Sequence, residues 1–219
     1  MVDRGGTSPG NGGFYDERLK NRFAGAYLTL RRSLGLFGVL LPVALALLGF
    51  YFKGCVCLQD SISDYYSLRT RDVLVGCLFA IATFLFVYKG YDDKDDWTGD
   101  AAALCALGVA LFPNSGDQVD KTIHFVSALG FFLALAYFCL ALFTKSGKSP
   151  SERKKQRNVV YVVCGVVILC CLAAIGLYFW LLHDTWLAGY KPVFFLESLA
   201  LWAFGASWFI KGETLLKDR

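Results

Sequence analysis

The chain has 219 residues, of which 56% are hydrophobic, 16% aromatic and only 18% charged, and its mean hydropathy is +0.47. A soluble domain carries about a quarter charged residues, so this composition excludes an ordinary soluble protein. Long apolar stretches fill more than half of the chain and leave no room for a separate soluble domain. We therefore predict an all-α, polytopic integral membrane protein: six transmembrane helices in one bundle, preceded by an N-terminal amphipathic helix.

The first 34 residues divide into two predicted parts. Residues 1–13 are rich in Gly and polar residues, a composition typical of a disordered leader. Over 14–34 apolar residues recur at helical spacing and Arg and Lys occupy other positions, which predicts an amphipathic helix on an anionic membrane surface. A helix that packs beneath the bundle fits the same pattern. We expect no cleavable signal peptide and take the first span as the insertion signal.

Six stretches then have the length and apolarity of membrane spans. They cover 35–52, 71–90, 98–113, 122–143, 159–182 and 192–210, the third being short. Together they predict a transmembrane domain at 35–210, followed by a cytoplasmic tail at 211–219. Pro42 is expected to bend the first span. Small residues such as Gly76 and Gly205 indicate close helix packing.

The basic residues alternate in number from one loop to the next. The N-terminal segment, the second and fourth loops and the tail hold 17 Lys and Arg residues, and the remaining loops hold 5. An excess of Lys and Arg in short loops marks the cytoplasmic side. We therefore expect both termini in the cytoplasm and the protein in the inner, or plasma, membrane.

Two charged loops and the cysteines have plain interpretations. The acidic run 92–96 and the basic loop 145–158 are expected to be solvated, with pairing between them as an option.

Of the eight cysteines, six lie in predicted spans and are expected to behave as small hydrophobes. Cys55 and Cys57 lie in the first outer loop, where oxidation is chemically accessible, and we favour two unpaired thiols. No cysteine spacing indicates a zinc site.

The outer helix ends carry most of the unusual polar residues. Glu197 lies roughly 7–8 Å into the sixth span at 1.5 Å per residue. A carboxylate at that depth usually faces the bundle interior with a partner, for which Arg71, His124 or a serine of the first outer loop is a candidate. The candidate ligand-binding residues are Ser61, Ser63, Asp64, Arg71, Asp72, His124 and Glu197.

Two interpretations of this cluster remain open. The residues can line an outward-facing polar pocket for a lipid headgroup, a small ligand or a metal. Alternatively, they can form a hydrogen-bonded cap that ties the first outer loop across the bundle. The frequency of polar residues near helix ends favours this second interpretation. We assign no catalytic residue, no metal ligand and no cofactor from the sequence.

Three segments carry a resemblance to known families: SISDYYSLRTRDVLVGCLFAIATFLFVYKGYD, ALCALGVALFP and IHFVSALGFFLALAYF. They are similar to an uncharacterised bacterial six-span family of unknown function, and more distantly to Frag/DRAM-type six-transmembrane proteins. The distant resemblance rests on Ile62-Ser63-Asp64 and His124-Phe125. It implies a six-helix membrane fold and a lipid-facing context, and it implies no reaction.

The predicted role is binding or sensing of a lipid or small ligand in the outward pocket, alone or within an assembly. Membrane lipids are the expected partners, with a homo-oligomer or a membrane-complex partner as a further option, and no nucleic acid is expected. One alternative is a membrane-embedded, metal-dependent lipid hydrolase. It would require Glu197, His124 and Asp64 to converge within about 3–4 Å of one reactive atom or metal. The other alternative is an oligomeric channel or transporter.

Overall fold

A computed structural model describes residues 12–53, 58–90, 92–147 and 149–214; of 12–16 and 53 only the backbone is described. Within these ranges the chain forms six α-helices and no strand, as predicted for an all-α protein. The helices are α1 (Gly12–Lys53), α2 (Arg71–Val87), α3 (Asp93–Leu111), α4 (Gln118–Tyr137), α5 (Glu152–Leu177) and α6 (Pro192–Lys211). The predicted leader up to residue 11, Cys55, Cys57 and the tail from 215 lie outside the described residues.

Short helical turns extend or connect these helices. A π-helical turn continues α4 over Phe138–Leu142, and another continues α5 over Tyr178–Leu182. Two 3₁₀ helices lie in loops, at Ser63–Ser67 before α2 and at Trp186–Tyr190 before α6. Side chains at the starts of α3, α4 and α5 accept a backbone N–H three residues later, which satisfies donors that a helix start leaves free; they belong to Asp92, Asp117 and Ser151.

The six helices form a closed ring. Each helix packs on its neighbours in the chain, and α6 packs back against α1. The α1–α6 contact is close enough for backbone groups to touch, because a Cβ atom built on Gly205 would lie 2.7 Å from the carbonyl oxygen of Gly35. The indole Nε1 of Trp202 donates across the same contact to the carbonyl of Val39, at 3.2 Å. Small residues thus bring these two helices together.

Helix α1 joins two elements that the sequence predicts separately. The amphipathic segment 14–34 and the first span form one helix of 42 residues, which continues through Pro42. Its first half packs against the bundle from Tyr27 onward, where the Tyr27 ring stacks on that of Tyr88 at 6.0 Å. The Nε of Arg32 donates to the carbonyl of Gly212 at 2.9 Å. The expected boundary at residue 34 is therefore not present as a break in the helix.

Four helical segments are long and apolar enough to cross a membrane. They are Glu17–Phe52, Gln118–Leu142, Glu152–Leu182 and Pro192–Lys211, and they match four of the six predicted spans. Helix α2 has only 17 residues, and α3 begins with a first turn that holds three aspartates. At 1.5 Å per residue α2 is roughly 26 Å long, somewhat shorter than a typical hydrocarbon core of about 30 Å.

The bundle has two chemically different ends. The basic end comprises 88–90, 92, 143–147, 149–151 and 211–214, together with the first half of α1. The pocket end comprises 58–70, 112–117 and 183–191. Near the basic end the centre is filled by fully buried aromatic rings, with Trp208 lying 5.0 Å from Tyr88 and 5.2 Å from Phe143, centroid to centroid.

The acidic run and the basic loop meet at the basic end, as one of the two interpretations anticipated. The Lys145 ammonium lies 2.9 Å from a carboxylate oxygen of Asp92 and 2.7 Å from one of Asp95. The expectation of solvated charge is wrong for Asp95, whose side chain is 0% exposed. Its neighbours Asp93 and Lys94 in the first turn of α3 are exposed, so only Asp95 is on the face that meets Lys145 in the loop after α4.

The ion pair to Asp92 predicts a loss of stability in acid. The hydrogen bond from Lys145 lowers the pKa of Asp92 from 3.8 to about 2. A lowered folded-state pKa contributes stability above the unfolded-state pKa, and that contribution is lost as pH falls through the folded-state value. Wild-type protein should therefore lose stability between pH 3.8 and about 2 more steeply than Asp92→Asn, which retains a good helix-capping side chain. Melting temperatures of both proteins in that range test this, and parallel curves would contradict it.

Candidate functional site: an amphipathic cavity at the pocket end

A cavity of about 1040 Å³ lies at the pocket end, bounded by the loop 58–70, α4, α5, the 3₁₀ helix Trp186–Tyr190 and the start of α6. One part of its wall is polar and the other is apolar. The polar side chains are Asp60, Ser61, Ser63, Asp64, Asn114, His124, His183, Lys191 and Glu197. The apolar part includes Phe125, Leu129, Phe132, Leu172, Ile175 and Phe179.

His124 and Ser63 form the best-defined polar pair in the wall. The His124 ring is buried in the first half of α4, and its Nδ1 lies 2.8 Å from the carbonyl oxygen of Phe112. Since a carbonyl only accepts, Nδ1 carries the proton of this hydrogen bond. The other ring nitrogen, Nε2, lies 2.9 Å from the Ser63 hydroxyl. In the neutral imidazole Nε2 is an acceptor, so the Ser63 hydroxyl donates to it.

Within the part of the chain that the structure describes, Asp64 accepts hydrogen bonds from neutral side-chain donors only. The Ser61 hydroxyl donates to its Oδ2 at 2.8 Å, and the Asn114 amide donates to its Oδ1 at 2.6 Å. The Asp64 backbone N–H donates in turn to the Ser61 hydroxyl at 3.2 Å, an ST-turn in the loop. This network connects the loop before α2 with the turn between α3 and α4.

Glu197 reaches the same cavity from α6. It lies in the second turn of α6, and its Oε2 accepts the backbone N–H of Ile62 at 2.6 Å. The described residues provide no donor for Oε1, which is open to the cavity. The partner of Glu197 is therefore a backbone amide of the predicted loop, and not Arg71, His124 or a serine side chain as expected.

The remaining charged groups of the wall are paired. The Lys191 ammonium contacts the Asp60 carboxylate, and the Asp60 carbonyl accepts the backbone N–H of Phe194 at 3.0 Å. These contacts fasten the loop before α2 to the start of α6. His183 lies 2.9 Å from the carboxylate of Asp184, and both side chains are exposed.

The structure brings five of the seven predicted residues to this cavity: Ser61, Ser63, Asp64, His124 and Glu197. Arg71 and Asp72 lie elsewhere, in the exposed first turn of α2. The Arg71 guanidinium donates to the Tyr66 hydroxyl at 3.2 Å and stacks over its ring at 4.7 Å, which explains its separation from the cavity. Sequence reasoning placed them with the others because they lie at the same end of the bundle.

Part of the apolar wall is exposed at the surface of the bundle. Phe125 and Leu129 on α4 and Phe179 after α5 line the cavity and are nevertheless 54%, 51% and 52% exposed. The apolar part of the cavity is therefore accessible from the flank of the bundle formed by α4 and the end of α5. In the part of the chain that the structure describes, no group of three His, Cys, Asp or Glu side chains could hold a metal ion. The three-ligand convergence required by the metal-dependent hydrolase alternative is thus not found there.

A family model described as a family of unknown function (DUF7103) matches residues 40–212, which include every residue that lines the cavity. The chain belongs to this family. No curated protein and no solved structure matches the chain. Membership in DUF7103 agrees with the predicted resemblance to an uncharacterised family, and these comparisons give no support to the more distant resemblance to Frag/DRAM-type proteins.

Sequence reasoning missed part of the site in this DUF7103 chain. Asn114 is in the turn after α3 and Lys191 just before α6, and neither stood out as a candidate. Both lie at the same end of the bundle as the predicted residues, so their position along the chain could have identified them as candidates. The contribution of Leu172 and Ile175 on α5 had no such signal, because apolar residues occupy most positions of that helix.

Proposed function

We propose that this protein is an integral membrane protein that binds an amphipathic, lipid-like ligand in the cavity at its pocket end. The observation that carries the proposal is the division of one cavity of about 1040 Å³ into a polar wall and a laterally exposed apolar wall. A headgroup would lie against Ser63, Asp64 and Glu197, and an acyl or alkyl chain against the apolar wall. Ligand sites are typically mostly apolar concavities with a few polar groups, as this one is.

The proposed membrane placement keeps six crossings with both termini in the cytoplasm of the inner, or plasma, membrane. The four long apolar segments support spanning, and α2 and α3 lie in the same closed ring as these segments. The excess of Lys and Arg at the basic end supports its cytoplasmic side. The pocket end then faces outward, at the level of the outer leaflet headgroups.

A substitution at Gly176 tests ligand binding with little risk to packing. Gly176 lines the cavity, and a Cβ atom added there meets nothing within 4 Å. Gly176→Phe should therefore obstruct the cavity and remove most of the lipid that remains bound to wild-type protein in mild detergent, as measured by native mass spectrometry. Gly76→Phe is the matched control, because Gly76 is equally open but lies on α2, away from the cavity. Retention of lipid in Gly176→Phe would contradict the proposed site.

A second candidate function, acyl hydrolysis, is favoured by the Ser63–His124 hydrogen bond of 2.9 Å. Hydroxyl and imidazole at this distance form the nucleophile–base pair of serine hydrolases, and the Phe112 carbonyl orients the ring. Ser63 Oγ would bond to an acyl carbon while its proton passes to Nε2 and then to the leaving alcohol. Water would then hydrolyse the acyl-serine.

Labelling with an alkyl fluorophosphonate tests this second function. Folded protein should acquire one covalent label on Ser63, which peptide mass spectrometry locates, and Ser63→Ala should abolish it. Ser67→Ala is the control, because Ser67 is an exposed serine of the same loop that bonds Ser115 instead of a histidine. Labelling that does not exceed the level in denatured protein would exclude a reactive serine and leave ligand binding as the role of the cavity.

A pore through a single chain is disfavoured by the aromatic rings that fill the centre of the bundle near the basic end. Tyr88, Phe143 and Trp208 are all fully buried there. An oligomeric pore, a homo-oligomer and a membrane-complex partner stay predictions.

A further inference from the structure

We infer that the polar wall of the cavity selects a headgroup that carries a positive charge, specifically a primary ammonium group. This inference rests on the proposed function, since it concerns the headgroup of the same amphipathic ligand. It follows from the charges that line the cavity and from which of them are already neutralised.

Among the described residues, three carboxylates and one ammonium line the cavity: Asp60, Asp64, Glu197 and Lys191. The ammonium is committed, because Lys191 contacts Asp60. His183 lies against the carboxylate of Asp184. Arg69 and Arg71, at the same end of the bundle, do not line the cavity, and Arg71 stacks on Tyr66. Among the described residues that line the cavity, no cation is therefore uncommitted and available to a phosphate or carboxylate headgroup.

Asp64 and Glu197 have no cationic partner among the described residues. Asp64 is hydrogen-bonded by a hydroxyl and a carboxamide, and Glu197 by one backbone amide. Both line one cavity, and Glu197 accepts the backbone N–H of Ile62, two residues before Asp64 in the same loop. Two carboxylates that share a poorly solvated space repel each other, and a cation between them removes that cost.

The available hydrogen-bonding positions also match an ammonium group. Oε1 of Glu197 is open to the cavity and has no donor from the described residues. A primary ammonium offers three N–H donors and accepts none, so it can satisfy Oε1 and the nearby Asp64 carboxylate together. A phosphate offers the wrong charge, and a neutral hydroxyl offers only one donor and leaves the charge unbalanced.

Three amphiphiles that share one chain length and differ only in headgroup distinguish recognition of the headgroup from binding of the chain. The full chain is placed in phosphatidylcholine nanodiscs, and the apparent affinities of hexadecylamine, hexadecanol and hexadecyl phosphate are taken from the rise in melting temperature with probe content. Hexadecylamine should bind about tenfold more tightly than either other probe, the amount expected from one charge-assisted hydrogen bond. Glu197→Gln and, independently, Asp64→Asn should remove most of that preference.

Asp72→Asn is the control, since it removes a carboxylate from the first turn of α2, outside the cavity. It should leave the preference for the amine unchanged. Equal affinities for the three probes would overturn the inference while leaving cavity binding intact, and tighter binding of the phosphate would overturn it outright. Absence of a saturable response to every probe would count against the proposed function itself. The affinities of the three probes for wild-type protein test the inference even if one variant fails to fold.

Discussion

Replacing Gly205 by Ala should destabilise the bundle by about 2 kcal/mol, within the range for overpacking a tight contact. The added Cβ atom would lie 2.7 Å from the Gly35 carbonyl oxygen and 2.7 Å from a methyl carbon of Val39. The carbonyl belongs to the α1 backbone and cannot rotate away as a side chain would. Helices α1 and α6 must therefore separate, and the ring loses its closing contact.

The control is Gly76→Ala on α2. An added Cβ atom there meets nothing within 4 Å, so only the intrinsic preference of a helix for Ala over Gly acts. That preference favours the variant by up to about 1 kcal/mol. Melting temperatures of the two variants in the same detergent should move in opposite directions. A fall of equal size in both would show that the α1–α6 contact is not specially close.

Replacing Lys145 by Met should cost about 3 kcal/mol, at the low end for breaking a buried ion pair. The variant leaves the fully buried Asp95 carboxylate without its ammonium partner. The low end applies because Lys145 itself is 32% exposed, and water can compensate part of the loss. Unfolding should begin where α3 meets the loop after α4, since this pair joins them.

Lys155→Met supplies the matched control for that substitution. Lys155 pairs with Glu152 at 2.7 Å, but these side chains are 57% and 81% exposed. Exposed pairs contribute at most about 1 kcal/mol. Denaturation monitored by tryptophan fluorescence should separate the two variants clearly. Indistinguishable stabilities would mean that the neighbours of Asp95 satisfy it without Lys145.

The sequence was sufficient to predict the all-α architecture and four of the helices that are long enough to cross a membrane. Apolar runs of this length have few alternatives, because a helix satisfies its own backbone hydrogen bonds. The same reasoning located the loop that carries Ser61, Ser63 and Asp64, and it placed His124 and Glu197 at the same end. These predictions needed only position along the chain and the alternation of charged loops.

Contacts between distant parts of the chain could not be predicted from the sequence. Gly76 and Gly205 look alike as small residues in apolar helices, yet only Gly205 lies against another backbone. Glu197 and Arg71 seemed natural partners as opposite charges, but the tertiary structure gives Glu197 the Ile62 amide and Arg71 the Tyr66 ring.

Composition, hydrophobic length and charge order are local properties of the chain, and they determined the class of protein and the end at which its polar residues collect. The ring order of the helices, the burial of Asp95 and the division of the cavity into polar and apolar walls were decided by the tertiary structure alone. The physical reason is that each depends on which helix faces meet. Helices that are apolar on nearly every face leave that choice to side-chain shape.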